Sequence, residues 1–271
     1  MTLCMVWRNA RGIVHFASDS RLTVAANSYA DVGIKVLSLP LTILDPVDAR
    51  AAGPRTVHRT TELGICFAGS AVNSLTVKDS VIEVAKRLQF APGYTDTSMN
   101  GVASFVFTAY RIISKDVCAT ALGSNGRAAI LVGGRCSETG EVRVFHMTTN
   151  NANEHSMKEV LIHSDHFFIG AGAKSAEEEL PQHPTDSDYL SVLKSVIDDR
   201  AQPTVGGHLQ YGRFERDRFI VYGVIELGTA GEGIHYWRGA LDLNSAEFMA
   251  GHSSFVPGLP YIDPYSSIGG I

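Results

Sequence analysis

A chain of 271 residues is long enough for one large sandwich or barrel around a single core, so a second domain is not required. Twenty-three basic residues against 28 acidic ones leave a net charge of −5 with no lysine-arginine block, which removes nucleic acid and anionic membranes as expected partners. Charged residues make up 19%, below the ~25% usual for soluble domains, and 45% are hydrophobic; that shortage of surface charge favours self-association.

In chain order, Leu3 to Trp7 and Ile13 to Ser18 are β-prone runs joined by Arg8-Asn9-Ala10-Arg11-Gly12, whose Asn and Gly suit a tight hairpin turn. Two further short strands are expected over 33–39 and 64–69. Between them Pro40, Pro46 and Pro54 with mixed charge read as an exposed insertion at about 40–62. From Ala71 to Gln89 the positions Val72, Leu75, Val81, Ile82, Ala85 and Leu88 recur at helical spacing, and Met99 to Ile113 predicts a second, more apolar helix. Strands follow at 128–133, 141–147 and 165–170, a helix pair at 175–180 and 187–199, and strands again at 219–226 and 233–237.

Strands segregated from paired helices, without regular β-α alternation, argue for the α+β class: antiparallel sheets under helical layers, a four-layer α-β-β-α sandwich spanning 1–250 as a single domain. The last 21 residues, 251–271, hold 11 Gly, Pro or Ser and are expected to form an irregular tail.

The longest uncharged stretch, Leu63 to Val77, has 15 residues interrupted by glycine, serine and asparagine, too short and too polar for a membrane span of ~20. Met1 to Trp7 lacks a basic flank and Arg8 ends it, so no signal peptide is expected and the reading is a cytoplasmic protein. Cys4, Cys66, Cys118 and Cys136 are scattered without a C-x-x-C and read as buried reduced thiols.

Three motifs fail on spacing. Gly170-Ala171-Gly172-Ala173-Lys174-Ser175 has alanine and serine where a phosphate loop or dinucleotide fingerprint needs glycine, so it reads as a strand-to-helix turn. His163 and His166 are three apart on a strand and face opposite sides, which argues against a metal site; no cofactor is expected. Ser191 to Lys194 matches S-x-x-K but lies on an amphipathic helix without companion motifs.

The N-terminus carries chemistry. Thr2 follows Met1, and a small second residue normally permits removal of the initiator. A terminal Thr hydroxyl has its own base, since an α-amine with a reference pKa of about 7.7–8.0 is substantially neutral near physiological pH. A lysine cation favours the developing alkoxide, a carboxylate holds the lysine, and a backbone N–H meets the oxyanion.

Thr2 opening a strand, Asp19 in Ala17-Ser18-Asp19-Ser20-Arg21, Lys35 in Gly33-Ile34-Lys35-Val36, Phe67-Ala68-Gly69-Ser70-Ala71 entering the first helix and Phe168-Ile169-Gly170-Ala171-Gly172 entering another resemble proteasome β-type subunits and the bacterial HslV peptidase. The resemblance covers residues 2 to 227. It implies the N-terminal-nucleophile hydrolase fold, with Thr2 as nucleophile, Lys35 as the activating charge, Asp19 as its partner and Gly69 as oxyanion donor. Leu22, Gly33, Leu37, Phe67, Ala71 and Leu75 match the family's primary substrate pocket, with Phe67 at its floor. The implied function is a self-compartmentalising threonine peptidase acting on a peptide or protein substrate as a homo-oligomeric ring, with an ATP-dependent unfoldase as a partner of the family. An inactive proteasome-like scaffold subunit and a non-peptide amidase are the alternatives. Three departures stand out: the Thr2 to Asp19 interval is one residue longer than usual, the Lys35 to Gly69 interval is about twenty longer, and Ala171 occupies the position of the family's serine. The downstream Asp-x-x-Ser-Gly is matched only by Val205-Gly206-Gly207, with Asp199 or Thr204 as out-of-register polar residues.

Overall fold

Gly12, at φ +77°, turns the chain back after its first strand, donating to the Asn9 carbonyl at 2.8 Å. That left-handed backbone favours glycine, and the Asn9 side chain completes the turn by accepting from the Arg11 and Ile13 amides. The resulting hairpin, β1 (Leu3–Arg8) with β2 (Val14–Ser18), pairs from Cys4↔Ser18 to Arg8↔Val14. The computed structural model describes residues 2–25, 28–45, 56–91, 96–228, 233–250 and 257–264.

A small ribbon of β3 (Leu22–Ala25) and β4 (Ser28–Ala30) precedes a long hairpin of β5 (Val36–Leu44) and β6 (Val57–Gly69). Helix α1 (Ala71–Ala85), the short β7 (Leu88–Gln89) and helix α2 (Met99–Asp116) follow, then β8 (Ala128–Arg135), β9 (Val142–Thr149), β10 (His155–Val160) and β11 (His166–Gly170). After α3 (Ala173–Glu179) and α4 (Asp186–Asp198) come β12 (Gln210–Glu215), β13 (Arg218–Leu227), β14 (Ile234–Arg238), β15 (Leu241–Asp242), α5 (Ala246–Ala250) and β16 (Tyr261–Ile262). Helix starts follow local chemistry: Ser70 and Ser98 cap α1 and α2, and Thr185 with Asp188 forms a capping box on α4.

One sheet runs β11-β1-β2-β12-β13-β14-β15 with β16 alongside β13, and the other runs β10-β9-β8-β6-β5-β7. Period-two alternation sorts the side chains. On β6, Ile65 and Phe67 pack toward α1 and α2, whereas Cys66 and Ala68 join Cys4, Phe16, Val36 and Leu131 between the sheets. Trp7, Leu190, Leu193 and Val196 fill the layer between the first sheet and α3 and α4. Three apolar layers inside four structural ones make the α-β-β-α sandwich, and all four cysteines are free and buried. Among the described residues no helix is long and apolar enough to cross a membrane.

The segment read as an insertion at about 40–62 is different in its described parts. Residues 40–44 and 57–62 continue β5 and β6 as one paired hairpin, Pro40 opposite Glu62. Pro40 is tolerated because β7 pairs only with Ile43 and Leu44, so among the described residues no strand pairs with the outer side of β5 at Pro40. Pro46 and Pro54 lie outside the described residues. Within the expected irregular tail, Tyr261 and Ile262 pair in parallel with Gly223 and Val224.

Candidate active site

The hairpin register brings the first chemistry together. Because Cys4 pairs with Ser18, Asp19 leaves β2 beside the start of β1, where its Oδ1 accepts the Leu3 amide at 3.0 Å. Its Oδ2 accepts the amides of Arg21 at 3.1 Å and Gly206 at 3.2 Å. Lys35 ends the irregular run after β4, immediately before β5. Its Nζ donates to Thr2 Oγ1 at 2.6 Å, to Asp19 Oδ1 at 3.0 Å and to the Arg21 carbonyl at 2.6 Å, which uses all three ammonium protons.

Thr2, Asp19 and Lys35 are 3%, 0% and 1% exposed. Burial pushes the Asp19 carboxyl above its ordinary value, against the pull of Lys35 and of the Leu3 and Gly206 amides. A buried ion pair is a poor source of stability, because desolvation offsets the attraction and an apolar pair of similar volume does as well or better. What this pair does have is direction: one ammonium shared between a carboxylate and a hydroxyl oxygen.

The Thr2 backbone is seated by the late glycine turn. Gly170 has φ +101°, and a Cβ there would lie 1.9 Å from the Thr2 carbonyl oxygen; the Gly172 amide donates to that same oxygen at 3.5 Å. The turn is therefore a seat for β1. Ala171 contributes no hydroxyl to it.

Gly69 closes β6 at φ +90°, exposed, where a Cβ would meet the Arg127 carbonyl oxygen at 2.6 Å. The end of β6 reaches the start of β1, since Cys4 Sγ donates to the Phe67 carbonyl at 2.9 Å. The pocket residues fall into two groups. Leu22 and Gly33 touch: a Cβ on Gly33 would stand 2.7 Å from Leu22 Cδ2. Leu37, Ala71 and Leu75 pack with Phe67 in the layer beneath α1 and α2, and Phe67, 2% exposed, is surrounded by core. A cleft of about 520 Å³ near Arg21, lined also by Tyr29, Asp31, Arg200, Pro203 and His208, contains none of these six. Asp199 accepts from the Ala201 amide within its own turn and lines that cleft.

Two neighbours of the site carried no sequence signal. Arg21 grips Asp31 through Nε and Nη2 at 2.7 and 2.9 Å and reaches the carbonyls of Pro203 and Val205 at 3.1 and 3.4 Å, so it ties the Gly206 loop to Asp19. Those Arg21 hydrogen bonds hold Asp31 below the usual carboxylate value. Gln210, on β12, lies wholly buried against Asp19 and Lys35.

Among the described residues no three His, Cys, Asp or Glu side chains are grouped to hold a metal ion. Solved structures of similar shape share this layout of layers. The helical assembly of the Anbu complex from Pseudomonas aeruginosa superposes with a TM-score of 0.58 at 14% identity, covering 92% of this chain and 90% of that one. The fold is the proteasome-like one. Anbu (ancestral beta-subunit) from Yersinia bercovieri gives a TM-score of 0.56 at 16% identity over 81% of this chain and 86% of that one, and Anbu from Hyphomicrobium sp. strain MC1 gives 0.56 at 17% over 91% and 90%. At such identities the likeness carries the proteasome-like fold and no more. No family model and no curated protein matches the sequence.

Proposed function

We propose that this chain is a threonine-type N-terminal-nucleophile hydrolase acting on peptide bonds. The observation that supports it is the contact of Lys35 Nζ with Thr2 Oγ1 at 2.6 Å, with Asp19 Oδ1 3.0 Å from the same nitrogen and all three side chains buried. Removal of Met1 frees the Thr2 amine. That amine takes the Oγ1 proton, Oγ1 attacks the substrate carbonyl carbon, and the Gly69 N–H stabilises the oxyanion. The amide C–N bond breaks as the ammonium returns its proton to the leaving amine, leaving an ester on Thr2. Water, deprotonated by the same amine, hydrolyses that ester.

Leu22, Gly33, Leu37 and Ala71 are the substrate-side residues of this reading, and Phe67, expected at the pocket floor, lies behind them in closed core. An uncharged wall cannot repay the desolvation of a charged side chain, so Leu, Met or Ala before the scissile bond is preferred. Self-assembly into a homo-oligomer belongs to the same reading and is supported by the low charge density and by the helical assembly named for one fold neighbour. A monomeric mass by native mass spectrometry would remove it. Ala171 supports a second reading, a scaffold subunit without activity.

Intact mass spectrometry followed by a threonine-directed epoxyketone or β-lactone separates the two. The hydrolase reading expects Met1 to be absent and the adduct to map to Thr2. Thr2→Ala should abolish labelling while stability stays within about 1 kcal/mol, the size of one hydrogen bond. Retained Met1 with no adduct leaves the scaffold.

A further inference from the structure

The carboxamide of Gln210 hydrogen-bonds no side chain of the site; its four partners are main-chain groups of Asp19, Gly33, Lys35 and Val36. Oε1 accepts the Lys35 amide at 2.9 Å and the Val36 amide at 3.4 Å. Nε2 donates to the Gly33 carbonyl at 2.6 Å and to the Asp19 carbonyl at 3.3 Å. Two donors on one side and two acceptors on the other determine the amide orientation, since the flipped form would set like against like four times. Gln210 is 1% exposed.

The two segments it joins share one backbone hydrogen bond, from the Gly33 amide to the Ser20 carbonyl at 2.8 Å, and are not otherwise paired as strands. Asp19 has just left β2, and residues 31–35 are irregular before β5 begins. Their buried main-chain groups need partners, and Gln210 supplies four from a strand that is itself registered on the hairpin, Gln210 opposite Ser18. We propose that Gln210 is the positioning residue of the site: it sets the separation of the Lys35 and Asp19 backbones, and so the aim of Lys35 Nζ at Thr2 Oγ1. This rests on the hydrolase reading for its kinetic consequence and on geometry alone for its effect on Lys35.

The test is Gln210→Met, similar in volume and unable to make any of the four bonds, against Gln202→Met, whose side chain instead reaches Ser175. The rate of Thr2 acylation by a β-lactone is followed from pH 5 to 9. A displacement of about 1 Å slows such chemistry on the order of 100-fold. The midpoint of the acid limb should also rise, because a cation moved away from Thr2 favours its deprotonated form less. The titratable groups that feel the Lys35 charge are Asp19, Asp31 and Cys66. The Lys35 side-chain amine signal by NMR should shift in Gln210→Met and stay in place in Gln202→Met. A rate loss that follows only the unfolded fraction, with midpoint and Lys35 signal unmoved, overturns the proposal. If the unsubstituted protein is never labelled, the hydrolase reading falls, and the Lys35 signal alone decides the positioning role. Should Gln210→Met not fold, Gln210→Glu, which keeps both acceptors and loses both donors, is read in the same way.

Discussion

The two ends of the β1–β2 hairpin both bury polar groups, and they do it in opposite ways. At the end where Thr2 enters, the Lys35 Nζ is shared between the Asp19 carboxyl 3.0 Å away and the Thr2 hydroxyl, with no aromatic ring among the hydrogen-bonding partners. At the turn end, Trp7 stacks on His15 with centroids 4.9 Å apart and planes within 5°, and on Tyr189 at 4.8 Å. There the polar atoms are tips of rings: Trp7 Nε1 donates to Asp186 Oδ1 at 2.7 Å, and His15 Nδ1 meets the Tyr211 hydroxyl at 2.7 Å. Burial drives His15 down to about 4, so the ring is neutral near pH 7. At the turn end burial leaves the imidazole neutral, whereas at the Thr2 end an amine and a carboxyl group are buried together. A fold gains nothing from the second arrangement, which is why that end is the candidate for chemistry.

Truncation at each end should break the comparison most sharply. Lys35→Ala leaves Asp19 buried and unpaired, with an expected loss of about 3–5 kcal/mol in urea unfolding and no labelling of Thr2. Trp7→Ala should lose a similar ~3–5 kcal/mol by emptying the aromatic stack, yet its folded fraction should still label. The double variant Asp19→Asn with Lys35→Met should recover most of the stability and none of the labelling; recovery of both would make the pair purely structural.

Gly170→Ala is the next largest expected effect. It forces a Cβ into the Thr2 carbonyl at a left-handed backbone, so about 1–3 kcal/mol of strain should appear with slower labelling, while the turn end is untouched. Unchanged labelling in a destabilised protein would show that the seat of Thr2 does not matter for reactivity.

A further effect is one of pH. His15 and His146 are both held down to about 4, each chiefly by burial, from an ordinary 6.5. Their folded-state values lie below the unfolded ones, so stability is full above pH 6.5 and declines as pH falls toward 4. Each contributes a slope of up to about 1.4 kcal/mol per pH unit. His15→Gln should flatten the fall in thermal midpoint over that window; an unchanged slope would mean that His15 is protonated in the folded protein.

Thr2 was legible from its place behind the initiator Met, whereas Asp19 and Lys35 were legible only through the ordered motifs that resemble proteasome β-type subunits. The layer order was equally legible from where helical and alternating periods change. Other elements were not. β10 is an edge strand, His-Ser-Met-Lys-Glu-Val, with only its last residue buried, and β12 carries Gly212 and two charged residues despite a central place in its sheet. The charged, proline-marked run after residue 39 reads as an exposed insertion, because composition does not reveal that among the described residues no strand pairs with the outer side of β5 at Pro40.

Short-range periodicity and turn chemistry in the sequence therefore carried the α-β-β-α order and the first hairpin, while the candidacy of Asp19 and Lys35 came from motif order shared with a known family. Only the tertiary structure decided which groups hold them. The Gly206 amide reaches Asp19 across 187 residues and Gln210 reaches Lys35 across 175. The same packing put Phe67 into closed core beneath α1. Buried backbone groups take whatever partner the packed chain brings within hydrogen-bond distance, and that partner's place in the sequence is set by topology, which no local pattern encodes.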